Sequence, residues 1–175
     1  MPTPGRAWWH LILHTKGSWL HGDPRGFRSR DHRIHSNGDY KNLPPADEHL
    51  KLYLHQKSQL KTAVVIPANL YPIIGKALHA KCLKIQVPVL AISAGPTHGH
   101  LQIEYENNLD AITPLTSKLK QAASHAVRHE LPGKIWARGG KPILIIDPAH
   151  QKRVFQYILK HTQDGDWVWS FRNEG

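Results

Sequence analysis

The stretch His98 to Tyr105, HGHLQIEY, constrains the fold more than any other part of the chain because it alternates strictly along its length. A strand turns successive side chains to opposite faces. His98, His100, Gln102 and Glu104 therefore share one face, while Leu101, Ile103 and Tyr105 share the other. Gly95-Pro96-Thr97 before it reads as a turn. Ile85 to Ser93 (IQVPVLAIS) before that reads as a nearly continuous apolar strand interrupted by Pro88. Two strands around a tight turn commit this region to a sheet, and the histidines are expected on the face away from the apolar residues.

The neighbouring segments supply the rest of an α+β fold. Trp8 to His14 (WWHLILH) is apolar and β-prone, and reads as a first strand. Lys16 to Pro45 is dense in Gly, Pro, Asp, Asn, Arg and His, which predicts an inserted loop. Asp47 to Leu60 reads as a short helix and Ile66 to Leu83 as a second, with Pro67 in its first turn. Pro114 to Leu131 carries Leu115, Leu119, Ala122 and Ala126 at helical spacing, with Thr113 placed to cap it. Ile143 to Ile146 is a fourth strand. Pro148 to Lys160 is a last helix, with Asp147 as its cap and Pro148 at its first position. Strand, helix, strand, strand, helix, strand and an appended helix is the order of a ferredoxin-like (RRM-like) sandwich with an antiparallel sheet. We read residues 1–175 as one domain, with 16–45 as an inserted loop.

Composition narrows the classes of function. The chain has 23 Lys+Arg against 13 Asp+Glu, a net charge of +10, which points to a polyanionic partner, nucleic acid first; a solvated basic surface is the plainer alternative. No apolar run is long enough to span a bilayer, and the first residues lack the charged and apolar segments of a signal sequence. A cytoplasmic protein with no membrane partner is therefore expected. Cys82 is alone, which excludes an internal disulfide and a cysteine zinc site.

Two pairs of residues carry chemistry. His98 and His100 flank Gly99, and a strand holds such a pair on one side with Cα atoms roughly 7 Å apart, a spacing suited to a divalent metal. Yet fourteen His in 175 residues give about one His-x-His triplet by chance. Tyr157 and His161 are one helical turn apart, beside an apolar stripe of Val154, Phe155, Ile158 and Leu159. A tyrosine there is commonly a half-buried core residue. As a nucleophile, its phenol would need a metal or base to lose its proton near neutral pH. His125 and His129 also share a spacing of four and read as surface or phosphate-contacting groups. His10 and His14 share a face of the first strand, and His10 would join the site if that strand lay beside His98.

Several motifs together resemble the single-tyrosine HUH transposases, the insertion-sequence and REP-associated kind. They are the aromatic opening strand WWHLILH, PTHGHL after a central strand, IWARGGKPILIID, and a final helix with FQYILKH. The segment GSWLHGDPRGFRSRDHRIHSNGDYKN, with YILKH and WVW, is also similar to a bacterial branch of transposase-like proteins. The resemblance implies that His98, His100 and His161 hold Mg²⁺ or Mn²⁺ and that Tyr157 attacks a phosphodiester of single-stranded or hairpin DNA. It also implies a homodimer in a bacterial cytoplasm. The candidate DNA contacts are Arg25, Arg28, Arg30, Arg33 and Lys41 in the inserted loop, and Arg138 in the IWARGGK stretch. Three features depart from the family pattern: Gly99 in place of a large hydrophobe, His161 where Gln or Asn is commoner, and the long insertion. A nucleic-acid-binding domain of the same fold without catalysis, and a metalloprotein unrelated to DNA, are the alternatives.

Overall fold

Alternating strands and amphipathic helices sort the chain into a sheet covered on both faces. The structure is a computed structural model and describes residues 2–20, 23, 48–59 and 63–173. Five strands, β1 (Arg6–His14), β2 (Val89–Ala94), β3 (His98–Glu106), β4 (Lys141–Ile145) and β5 (Trp167–Ser170), form one sheet in the order β4-β1-β3-β2-β5. Every neighbouring pair is antiparallel. The first four strands keep the ferredoxin-like order, and β5 extends the sheet beyond β2. Contacts divide the chain into two compact units, residues 1–15 with 65–175, and residues 16–64. The second unit carries helix α1 (Leu50–Gln59), none of whose residues is buried.

The first face of the sheet is apolar. Trp9, Leu11 and Leu13 of β1 align with Ile103, Leu101 and Gly99 of β3, and Ile92 of β2 lies opposite Leu101. With Leu70, they meet Ile74, Leu78 and Cys82 of helix α2 (Tyr71–Lys84) and Ile112, Leu115 and Leu119 of helix α3 (Leu109–Ala126), all buried. Each such fully buried side chain contributes about 1.5–3 kcal/mol of transfer free energy. Trp167 packs onto this side at Gly75 of α2, where a Cβ would run into its ring.

The second face is covered as well. Helix α4 (Pro148–Lys160) buries Val154, Phe155 and Ile158 against Ala91 and Ile145, with Trp8 and Leu90 at the margin. Gln102 of β3 donates its side-chain N–H to the Gln151 carbonyl of α4 at 3.0 Å. The histidine face, opposite the apolar one, is therefore not open to solvent: His100 is 2% exposed and Gln102 fully buried. Alternation placed these residues opposite the apolar side chains, but it could not show that a second layer lies over them.

Other departures have local causes. Helix α3 begins five residues before the expected Pro114, because Asn108 caps it by accepting the Asp110 N–H at 2.9 Å and Ile112 extends the buried stripe. Pro114 lies inside the helix, and Thr113 donates its hydroxyl to the Leu109 carbonyl rather than capping. Ile66 is buried and lies outside any helix, its N–H bonded to the Pro96 carbonyl, so α2 starts only after a 3-10 turn at Ala68–Leu70. β2 starts after Pro88, which has no N–H for the ladder. β5 answers to the WVW motif, to which no strand was assigned from sequence. Residues 24–47, with Arg25, Arg28, Arg30, Arg33 and Lys41, lie outside the described residues.

Candidate metal centre

The sheet and the last helix bring the site together from two elements. β3 presents His98 and His100 on the face under α4, and the end of α4 presents Tyr157 and His161 one turn apart. Gly99 between the histidines has a local reason: a Cβ there would lie 3.1 Å from the Ser93 carbonyl oxygen of β2, tighter than a side chain comfortably allows. Asp147 caps α4 by accepting the His150 N–H at 2.6 Å, which fixes where the helix begins and so where Tyr157 falls.

Ligand-capable atoms of His98, His100 and His161 all lie within 4.8 Å of one another. The ring centroids of His100 and His161 are 4.7 Å apart and stacked, and His98 stands 4.8 Å from His100 and 5.3 Å from His161. The Tyr157 ring stands T-shaped to His161 at 4.9 Å and to His100 at 5.2 Å. Tyr157 is nevertheless 48% exposed, because the helix buries Val154, Phe155 and Ile158 and leaves position 157 on the flank. With Lys160, His161 and Asp164 it lines an open recess.

Each Nδ1 atom has a polar neighbour, and the Nε2 atoms of His100 and His161 have none. His100 Nδ1 lies 2.9 Å from His10 Nε2, His98 Nδ1 lies 3.1 Å from the Thr97 hydroxyl, and His161 Nδ1 lies 3.2 Å from Asp166 Oδ2. The Nε2 atoms of His100 and His161 are buried with no hydrogen-bond partner. Unpaired buried nitrogens are costly, by about 1–3 kcal/mol each, unless a ligand takes the lone pair. This donor set fits a divalent cation held by Nε2 atoms whose rings are oriented through Nδ1.

The electrostatics favour neutral imidazoles. Burial, and then nearby histidines, hold His100 down at about 2, and burial with His150, His161 and Lys141 holds His10 at about 4. His98 is lowered by burial and by His161. The Tyr157 phenol is raised by burial and by Asp164 and Asp166, so these residues alone do not favour its deprotonation. Burial also raises the Asp166 carboxyl, against the pull of His161 and His98.

The structure thus gathers four sequence-predicted residues, His98, His100, Tyr157 and His161. It also brings in His10, a secondary candidate, because His10 pairs with Gln102 and so stands diagonally beside His100. Asp166 was missed; a carboxylate five residues after His161 in HTQDGD was the available signal. His125 and His129 are exposed, as expected. Arg138 is exposed on the turn before β4, where buried Lys120 donates to the Ala137 and Gly139 carbonyls. The Ala137 N–H bonds to the His14 carbonyl, and His14 is the register partner of His98, so Arg138 lies at the site end of the sheet.

Among the described residues, no helix is long and apolar enough to cross a membrane. No family model matches the chain, and no curated protein matches it in sequence. In fold it is similar to the solved structure of a REP-associated tyrosine transposase bound to a REP hairpin, with a TM-score of 0.50 and 12% identity over 94% of this chain and 70% of that one. At that identity the likeness is one of architecture: a five-stranded antiparallel sheet with helices in an α+β fold, close to that of a tyrosine transposase.

Proposed function

We propose that the chain is a metal-dependent enzyme that nicks and rejoins single-stranded or hairpin DNA through a covalent tyrosine intermediate. The carrying observation is the half-exposed Tyr157 ring set T-shaped against the imidazoles of His100 and His161, whose buried Nε2 atoms lack partners. The REP hairpin bound by the structural neighbour and the +10 charge support a DNA substrate.

In this reading, His98, His100 and His161 hold the cation and Tyr157 is the nucleophile. Bound there, Mg²⁺ or Mn²⁺ supplies Lewis-acid polarisation of the scissile phosphate; three imidazoles would suit Zn²⁺ or Ni²⁺ as well. The Tyr157 oxygen attacks phosphorus and gives up its proton, the bond to the 3′ oxygen breaks, and a 5′-phosphotyrosine and a free 3′-hydroxyl result. Attack by a 3′-hydroxyl reverses the step without ATP. Arg138 contacts the strand at the site end of the sheet, and Arg25, Arg28, Arg30, Arg33 and Lys41 provide further phosphate contacts. A homodimer acting in a bacterial cytoplasm completes the reading.

The raised Tyr157 phenol favours one rival, a DNA-binding domain that has lost catalysis. A 3′-labelled hairpin oligonucleotide incubated with protein and Mn²⁺ separates the two. Label that stays with the protein in SDS, and is absent with EDTA, supports the enzyme; DNA binding with no adduct supports the rival.

A further inference from the structure

We propose that Asp166 is a positioning residue that fixes the ring of His161, with Gly95 providing the notch that admits its carboxylate; this rests on the metal-site reading above. Asp166 is 8% exposed, and its Oδ2 lies 3.2 Å from His161 Nδ1. The chain is built to bring it there. Gly165 takes a left-handed conformation with φ of 83°, closing the 3-10 turn His161–Asp164, and the Asp166 N–H returns to the His161 carbonyl at 3.2 Å. Across the site, a Cβ on Gly95 would collide with the Asp166 carboxylate. A buried carboxylate fitted to a notch, with an Oδ2 that has no hydrogen-bond partner and stands at ion-pair distance from the Nδ1 of an imidazole whose Nε2 is also buried and unpaired, is placed to hold a ligating histidine in its Nδ1–H tautomer.

Asp164 is the competing partner, its Oδ2 3.4 Å from the same nitrogen. Its side chain is 70% exposed, so water screens it, whereas the Asp166 side chain is 3% exposed. The assignment therefore falls on Asp166.

Two readouts test this, one without metal. Nitrogen-15 NMR of the metal-free protein should show His161 as the Nδ1–H tautomer in wild type and Asp166→Asn, and as largely Nε2–H in Asp166→Ala. Calorimetric titration with Mn²⁺ should show affinity falling about 10-fold in Asp166→Asn and nearer 100-fold in Asp166→Ala. Gly95→Ala, with Asp166 intact, should weaken Mn²⁺ binding similarly, and Asp164→Asn should leave it unchanged. An unaltered His161 tautomer in Asp166→Ala, or full Mn²⁺ affinity in both Asp166 variants, overturns the proposal. Absence of saturable Mn²⁺ binding in wild type would instead overturn the metal-site reading, leaving the metal-free tautomer to decide the role of Asp166.

Discussion

Replacing His98 and His100 together by Ala should cost about 2–5 kcal/mol of folding stability, nearly all of it from His100. His100 is 2% exposed beneath α4, so its loss leaves a ring-sized void of the kind that costs about 2–5 kcal/mol in large-to-small core changes. It also strips His10 Nε2 of its 2.9 Å partner, which adds about 1–3 kcal/mol. Against this, the variant no longer buries the unpartnered Nε2 of His100, which returns a similar about 1–3 kcal/mol. His98 is only partly buried and adds little. For a chain of 175 residues this corresponds to a fall in Tm of roughly 4–20 °C. Urea denaturation in EDTA is the assay, with His100→Phe as a volume-keeping control expected to recover part of the loss but no metal binding. A double variant within about 0.5 kcal/mol of wild type, the level of an ordinary surface substitution, would mean that α4 does not cover the histidine face.

The metal-free protein should also lose stability in mild acid. His10 titrates at about 4 in the fold against an ordinary 6.5, so the unfolded chain takes up the proton first. Stability is full above pH 6.5 and falls towards pH 4, by about 3 kcal/mol for His10 alone. Tm measured from pH 7.5 to 4.5 in EDTA checks this, and a flat profile would refute it. Gly75→Ala should lower Tm without altering Mn²⁺ affinity per folded molecule, because its Cβ meets the Trp167 ring on the face away from the site; a thermal melt and a titration decide, and an unchanged Tm would mean that Trp167 does not pack at Gly75.

Much of the architecture was legible because its signals are local. Period-two alternation placed β3, and Asp147-Pro148 placed the start of α4 at the residue observed. Where two local signals competed, the longer-range one won: Thr113-Pro114 has the form of a helix start, yet Ile112 needs burial and Asn108 offers a cap, so α3 begins earlier. The site was half legible. His98, His100, Tyr157 and His161 carry spacings that place them in pairs, but joining the two pairs requires α4 to fold over the second face of the sheet. His10 and Asp166 lie further still from sequence logic: one depends on the β1–β3 register, the other on a left-handed glycine reversing the chain. β5 escaped because four residues with two tryptophans show no alternation that separates strand from turn.

The most direct test of the central claim is to trap the covalent product and find which residue carries it. Wild-type protein is incubated with a single-stranded hairpin substrate and Mn²⁺, then digested with nuclease and protease, and the nucleotide-modified peptide is mapped by mass spectrometry. The modification is expected on Tyr157 and is lost in Tyr157→Phe, with DNA affinity near wild type because the ring is kept. A modification on another residue, such as Tyr105, or adduct persisting in Tyr157→Phe, would contradict it.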